Sequence, residues 1–358
     1  MEYITYAMVV FAVLGGLDLL FGNRFGLGKE FERGFEMLGT LALCMLGLLT
    51  LAPFLADLME PGLRWLAEIL PFDPSLYTSF LFANDNGGAV LAENVAIHAE
   101  LGAFNGHIVA SMLGATVSFT IPFALSNVPK QLHRNLLLGL LCGIVTIPLG
   151  CFAGGLIEQL PMGLLLLDLL PIFIVSGLIA LGLFLVPELC LKIFKGIGFA
   201  IKGMIVFGLI LGVVDATTGL QPLPGIAPFS ENAEIILFAA TVMSGAFPMI
   251  YVLQKILTKP LGKIARKTGM NEVSAAGFLT TVATSVATFD QMKKMDGKGI
   301  LLNSAFAVSA AFLLTDHLAF TVAKNPDILP GLMVGKVVAA LFSLAVAWLV
   351  EKKERKTN

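Results

Sequence analysis

Ile300–Ala323 reads ILLNSAFAVSAAFLLTDHLAFTVA, and its only ionisable side chains are the adjacent pair Asp316 and His317. An apolar run of this length is read as a helix crossing a membrane. A charge at the centre of a bilayer costs roughly 2.5 kcal/mol or more, so an aspartate kept there is read as functional, and Asp316 is the leading candidate for a ligand of substrate or ion. The bland alternative is a carboxylate bonded to a neighbouring side chain that merely ties helices together. His317 follows about 100° further round a helix. Tuning the aspartate, carrying a proton and bonding a backbone carbonyl are all open to it.

The rest of the chain agrees with that reading. It is 57% hydrophobic and only 13% charged, against about 25% charged in soluble domains. The expectation is an all-α polytopic membrane protein, a single integral membrane domain over residues 1–358. Nine stretches are long and apolar enough to cross: approximately Ile4–Phe21, Met37–Leu55, Phe104–Ser126, Asn135–Ile157, Gly163–Val186, Gly196–Val214, Ile235–Leu253, Ile300–Ala323 and Ile328–Val350. Cys44, Cys142, Cys151 and Cys190 are scattered without C-x-x-C spacing and read as reduced, packed thiols. No phosphate-binding loop, H-E-x-x-H, G-x-S-x-G or Cys/His cluster is present, so neither an enzyme, a cofactor, a metal site nor a nucleic-acid partner is expected.

Two further segments are apolar but unsuited to crossing. Residues 74–92 (PSLYTSFLFANDNGGAVLA) break at Asn84-Asp85-Asn86-Gly87-Gly88, a turn signature. Residues 273–289 (VSAAGFLTTVATSVATF) carry Thr280, Thr281, Thr284, Ser285 and Thr288. Both read as re-entrant hairpins, since irregular backbone survives at membrane depth only under a cover of protein or around a wet cavity. With nine crossings and two such hairpins the loops alternate in charge. One side collects 20 of the 23 basic residues, among them Arg24, Lys29, Arg33, Lys130, Arg134, Lys192, Lys195, Lys255, Lys293, Lys352, Arg355 and Lys356. The other holds Arg64 and Lys324 with Asp57, Glu60, Glu68, Asp73, Glu93, Glu100, Glu158 and Asp215. The positive-inside rule then places the N-terminus outside and the C-terminus in the cytoplasm, in a bacterial cytoplasmic (inner) membrane.

Residues 37–157 and 235–350 each run span, hairpin, span, span. Five crossings separate their starts, an odd number, so the two units are expected to be inverted repeats. An offset of 197 pairs Ser118 with Thr315, Phe123 with Phe320 and Pro129 with Pro326. Such repeats place a substrate site near the midplane, where broken helices meet. The candidates there are Asp316, His317 and Thr315 with its counterpart Ser118, then Asp85, Asn84 and Asn86 at the first tip, and Thr284 and Ser285 at the second. Glu93 and Asp290 read as solvated hairpin ends. Asp18, Asp168 and Lys336 lie near helix ends, where long side chains snorkel, and read as structural. Gly150-x-x-x-Gly154 is a close-packing motif.

These residues also resemble the ethanolamine permease family of ethanolamine-utilisation operons (EutH). The resemblance covers nearly the whole chain. It is carried by Phe31-Glu32-Arg33-Gly34-Phe35, Asp85 to Gly88, Gly143 to Pro148 running on to Gly154-Gly155, and Phe306 to Phe312 followed by Asp316-His317-Leu318. As architecture only, the facing hairpins also resemble concentrative nucleoside transporters. Two positions depart from the family pattern: Thr284-Ser285-Val286-Ala287 replaces an Asn-Asn-Ile-Pro stretch, and Glu93-Asn94 replaces a Lys-Glu pair.

The resemblance implies a transporter of ethanolamine; for the protonated amine moved by alternating access, the residues themselves suggest Asp316 on the ammonium, with the two tips on the hydroxyl and the remaining ammonium protons. Membrane potential alone would drive such a cation, and coupling to protons through Asp316 and His317 is the other route. The lipid bilayer and the small molecule are the expected partners, with a homo-oligomer suggested by analogy to hairpin transporters. The rivals are a carrier of another polar metabolite such as a nucleoside, a passive channel, and a non-transporting scaffold.

Overall fold

The computed structural model describes residues 2–357; the side chains of Arg355 and Lys356, which entered the charge alternation, lie outside those described. Among the described residues the chain is all-helical. Seven helices are long and apolar enough to cross a membrane, and the shorter Thr5–Leu20 lies beside them.

In chain order, α1 is Glu2–Leu20 and α2 is Leu27–Ile69, 43 residues running through Pro53 and Pro61. Asp18 ends α1 by accepting from the amides of Phe25 (3.0 Å), Leu27 (2.8 Å) and Gly28 (3.0 Å). It therefore caps the start of α2, a structural role. Next come α3 Ser75–Ser79, the Asn84–Gly88 turn and α4 Ala89–Val95. The long helices α5 Ala99–Asn127, α6 Lys130–Ile157, α7 Met162–Leu185 and α8 Pro187–Thr218 follow. After α9 (Phe229–Thr268) the chain forms α10 Glu272–Ala283, α11 Ser285–Gln291, α12 Gly297–Ala310, α13 Asp316–Lys324 and α14 Leu329–Thr357.

Small residues set the packing, because helices in lipid gain by close approach rather than by expelling water. A Cβ on Gly150 or Gly154 of α6 would fall 2.5 Å from Gly335 O or 2.8 Å from Gly331 O of α14. This is the contact expected of the G-x-x-x-G motif. Gly139 and Gly143 of the same helix meet Leu301 and Val308 of α12, while Gly47 of α2 meets Gly208 of α8. The resulting core gathers α5, α6, α12 and α14, and α5 is distorted there into wide π turns over Phe104–Gly114.

Three interruptions of helix face this core. At Asn84–Gly88 the backbone leaves helical geometry at Asn86 and at Gly87, whose φ is +84°. Between α10 and α11, Thr284 is extended (φ −159°, ψ 126°). The third corrects the opening expectation: Ile300–Ala323 is two helices, not one. The chain leaves α12 at Ala311, passes through Phe312 at φ +58° and re-enters helix at Asp316. Neither proline nor glycine marks this break. Tertiary bonds replace the helical ones instead, with Leu314 N–H on Val282 O (3.0 Å) and Thr315 Oγ1 on Ala283 O (2.5 Å). The second and third breaks thus satisfy one another, as backbone polar groups away from water must be satisfied.

Candidate functional site

Asp316 occupies the first turn of α13, where the leading backbone amides lack helical partners and favour a negative charge. It stands at the inner end of a cavity of about 580 Å³ whose walls include Thr284, Val286 and Ala287 at the second break and Phe247 and Tyr251 of α9. The mouth of the cavity carries Glu30, Arg33 and Asp290. Arg33 pairs with Glu30 at 3.3 Å and lies over the Phe247 ring at 4.7 Å.

On the other side of Asp316 the protein is closed. His317 is buried, its Nε2 3.9 Å from Asp85 Oδ1 and its Nδ1 2.9 Å from Lys336 Nζ. Lys336 is fully buried, and Nζ also donates to Ser111 O at 3.0 Å. An ammonium has donors only. Charged Lys336 therefore makes Nδ1 the acceptor and leaves the His317 proton on Nε2, facing Asp85. The 3.9 Å gap is too long for a hydrogen bond and has the span of a bridged contact. Lys336 was expected to snorkel. Instead, the face of α14 that carries it packs on α5, and its amine ends against a carbonyl that the π turns offer.

A second polar chain starts at the same turn. Asn84 Nδ2 donates to Thr321 Oγ1 (3.4 Å), which meets His107 Nδ1 (3.3 Å). His107 Nε2 meets Glu93 Oε1 (3.1 Å), and Glu93 pairs with Lys324 at 3.7 Å. Glu93, expected to be solvated, is therefore tied to a fully buried histidine, and only 27% of its side chain is exposed. Burial of His107 leaves Glu93 as its carboxylate partner.

The sequence-derived candidates divide as follows. Asp316 and Thr284 line the cavity. Thr315 is engaged with Ala283 O. Asp85, Asn84 and Asn86 share the first break, where Asn86 Nδ2 donates to Asp85 Oδ1 at 3.3 Å. Ser285 Oγ and Asn84 Oδ1 are buried without a protein partner. Ser118 turns its hydroxyl back onto Gly114 O (2.7 Å) of its own helix, and its carbonyl faces Gly198 of α8. Among the described residues no contact joins it to the others. Sequence reasoning missed Lys336, His107, Glu93 and Thr321 as members of the site. The rule that singled out Asp316, an ionisable group inside an apolar run, applied equally to His107 and Lys336.

Residues 1–350 match the family described as "Ethanolamine utilisation protein, EutH". The chain is 42% identical over 357 residues to the "Probable ethanolamine permease EutH" of Listeria monocytogenes serotype 1/2a (strain 10403S), covering 100% of this chain and 96% of that protein. It is 35% identical over 396 aligned residues to the protein of the same name from Escherichia coli (strain K12), covering 99% and 97%. A third relative, "Uncharacterized protein YxeR" of Bacillus subtilis (strain 168), is 31% identical over 356 residues, covering 99% and 96%. No solved structure matches the chain.

Proposed function

The chain belongs to the EutH family, and on that premise we propose that it carries protonated ethanolamine across a bacterial cytoplasmic membrane by alternating access. One observation carries the proposal: Asp316, at a helix start inside an apolar core, forms the inner end of a cavity large enough for a two-carbon amino-alcohol. A carboxylate there suits an ammonium through a charge-assisted bond. Thr284 and Ser285 on one side, and Asp85, Asn84 and Asn86 on the other, supply neutral and anionic acceptors for the hydroxyl and the remaining ammonium protons. The unpartnered oxygens Ser285 Oγ and Asn84 Oδ1 support this assignment. His317 contributes its Nε2 proton as a donor to a substrate oxygen.

In this reading the helix-break-helix units at residues 74–92 and 273–289 are re-entrant hairpins, and the units 37–157 and 235–350 are inverted repeats around the site. The cavity mouth at Glu30 and Arg33 then faces the cytoplasm, with the N-terminus outside and the C-terminus inside. The described state is open to the cytoplasm and closed beyond Asp85 and His317. Membrane potential contributes about 2.3 kcal/mol per charge per 100 mV, roughly a fifty-fold gradient, so inward movement of a cation needs no further coupling.

The test is uptake of radiolabelled ethanolamine into proteoliposomes at acidic external pH under an inside-negative potential, where leakage of the neutral amine is suppressed. Saturable uptake that unlabelled ethanolamine competes and Asp316→Asn abolishes is the expected result. Wild-type rate and affinity in Asp316→Asn would refute the site. No uptake above empty liposomes, with folded protein, would refute the substrate.

A further inference from the structure

His107 is fully buried, yet both ring nitrogens are engaged and neither contact fixes its charge. With the ring neutral, Nε2–H donates to the Glu93 carboxylate and Nδ1 accepts from the Thr321 hydroxyl. Thr321 Oγ1 in turn receives Asn84 Nδ2, so the Asn84 amide shows its oxygen to the site. With the ring protonated, Nδ1 also donates, and the Thr321 hydroxyl proton must find another acceptor. Asn84 Oδ1, buried and without a partner, is the group in reach once the amide turns over. Asn84 then shows its NH₂ to the site, and an NH₂ repels an ammonium where a carbonyl would hold it.

From this we infer that the His107–Glu93 pair is a proton site whose occupancy opposes that of the cation site, the two being linked through Thr321 and the amide of Asn84. The inference rests on the reading that Asn84 and its neighbours bind a cation. The charges around His107 favour it. Glu93 on α4 is the carboxylate in contact, and its charge is already shared with Lys324 of α13. His317 of α13, Asp85 of the first break and Lys336 of α14, bonded to Ser111 one turn along α5, form the neighbouring set. Tyr77 of α3 adds no charge at neutral pH, and Asp168 of α7 is turned to Asn105 (2.8 Å). A proton on the pair thus adds positive charge beside a site that must accept another. Glu93 lies next to Asn94, which lines a second cavity of about 450 Å³ at the Asp57–Arg64 end of α2, opposite the mouth that leads to Asp316. By this arrangement the proton and the cation reach the site from opposite ends, and binding of one expels the other.

Calorimetric titration of the purified full-length protein in detergent with ethanolamine hydrochloride, at about pH 6 and about pH 8, tests this, because an aliphatic amine keeps its proton across that range. Two buffers of different ionisation enthalpy at each pH report the protons released. Wild type is expected to bind on the order of five-fold or more tightly at the higher pH, and to release protons on binding at the lower. His107→Gln removes the proton site and should bind with one affinity at both pH values and release no proton; Thr321→Val cuts the hydrogen-bonded link and should shrink the pH dependence, leaving the part that acts by charge alone. Saturable binding in wild type with the same affinity at both pH values overturns the proton site alone. An unchanged pH slope in Thr321→Val overturns the Thr321 link. Absence of ethanolamine binding at either pH in folded wild type overturns the transporter reading, and the proton site with it.

Discussion

Lys336→Met separates the electrostatic role of the buried lysine from its structural one. Nζ reaches Asp85 only through the His317 ring, 2.9 Å on one side and 3.9 Å on the other. The two charges are therefore about 9 Å apart at most, and at an effective dielectric of about 20 such a pair interacts by about 2 kcal/mol. A substrate ammonium beside Asp85 feels the lysine as a repulsion of similar size. Removing that charge should tighten ethanolamine binding by roughly thirty-fold. Turnover should fall, since tighter binding slows release. Folding should change little. Two charge-assisted bonds worth about 1.5–3 kcal/mol each are lost, but the several kcal/mol spent on burying an ammonium is recovered. The assay is equilibrium binding of labelled ethanolamine to purified protein at about pH 7.5, a unit above the ordinary imidazole value, so that His317 stays neutral in both proteins. Unchanged affinity would mean that the lysine does not act on the site by charge. Weaker binding would mean that its main task is to hold His317.

Other outcomes follow from the same geometry. Ser285→Ala should weaken ethanolamine binding by about 0.5–1.5 kcal/mol while leaving the melting temperature unmoved, because Ser285 Oγ has no protein partner to lose; a lowered melting temperature with unchanged affinity would assign it to packing. Gly47→Val drives a side chain into the Ile205–Leu209 backbone of α8 and should cost about 1–3 kcal/mol or more in stability. Gly163→Ala, with open space around it, should stay within about 0.5 kcal/mol by thermal melting in detergent. Burial holds the Glu158 carboxyl above its ordinary value although it accepts from the Gly331 amide at 2.6 Å. The folded chain then keeps that proton to higher pH than the unfolded chain, so this part of the stability is present in acid and is lost as pH rises through the folded value. Glu158→Gln should flatten the melting temperature across that window.

Composition and hydropathy were enough to give an all-helical membrane protein, because the bilayer punishes unsatisfied backbone wherever it lies. The N-D-N-G-G turn was equally legible: Gly87 adopts the positive φ that only glycine takes without cost. The break inside Ile300–Ala323 was not. Its residues favour a continuous helix, and what opens them is bonding to Val282 and Ala283, which lie some thirty positions earlier. Local sequence cannot show a competitor that far away. Asp85, Asp316 and His317 were found because ionisable groups stand out in apolar runs. Lys336 stood out as well, but its distance from a helix end was taken as the guide to its exposure, and His107, in the same kind of run, was passed over. That guide fails where one helix face packs on another, as α14 does on α5.

Phe312, at φ +58°, holds a conformation that costs an ordinary residue roughly 1–2 kcal/mol. Its ring meets Phe119 at 5.7 Å and His317 at 5.5 Å, contacts that glycine could not make. The kink buys a place for a charge. Had the helix run on, the amides at Asp316 would be spent on carbonyls of the preceding turn and the carboxylate would face hydrocarbon bare. With the chain cut just before it, the leading amides of α13 are left without helical partners, and the positive end of that helix lies at the carboxylate.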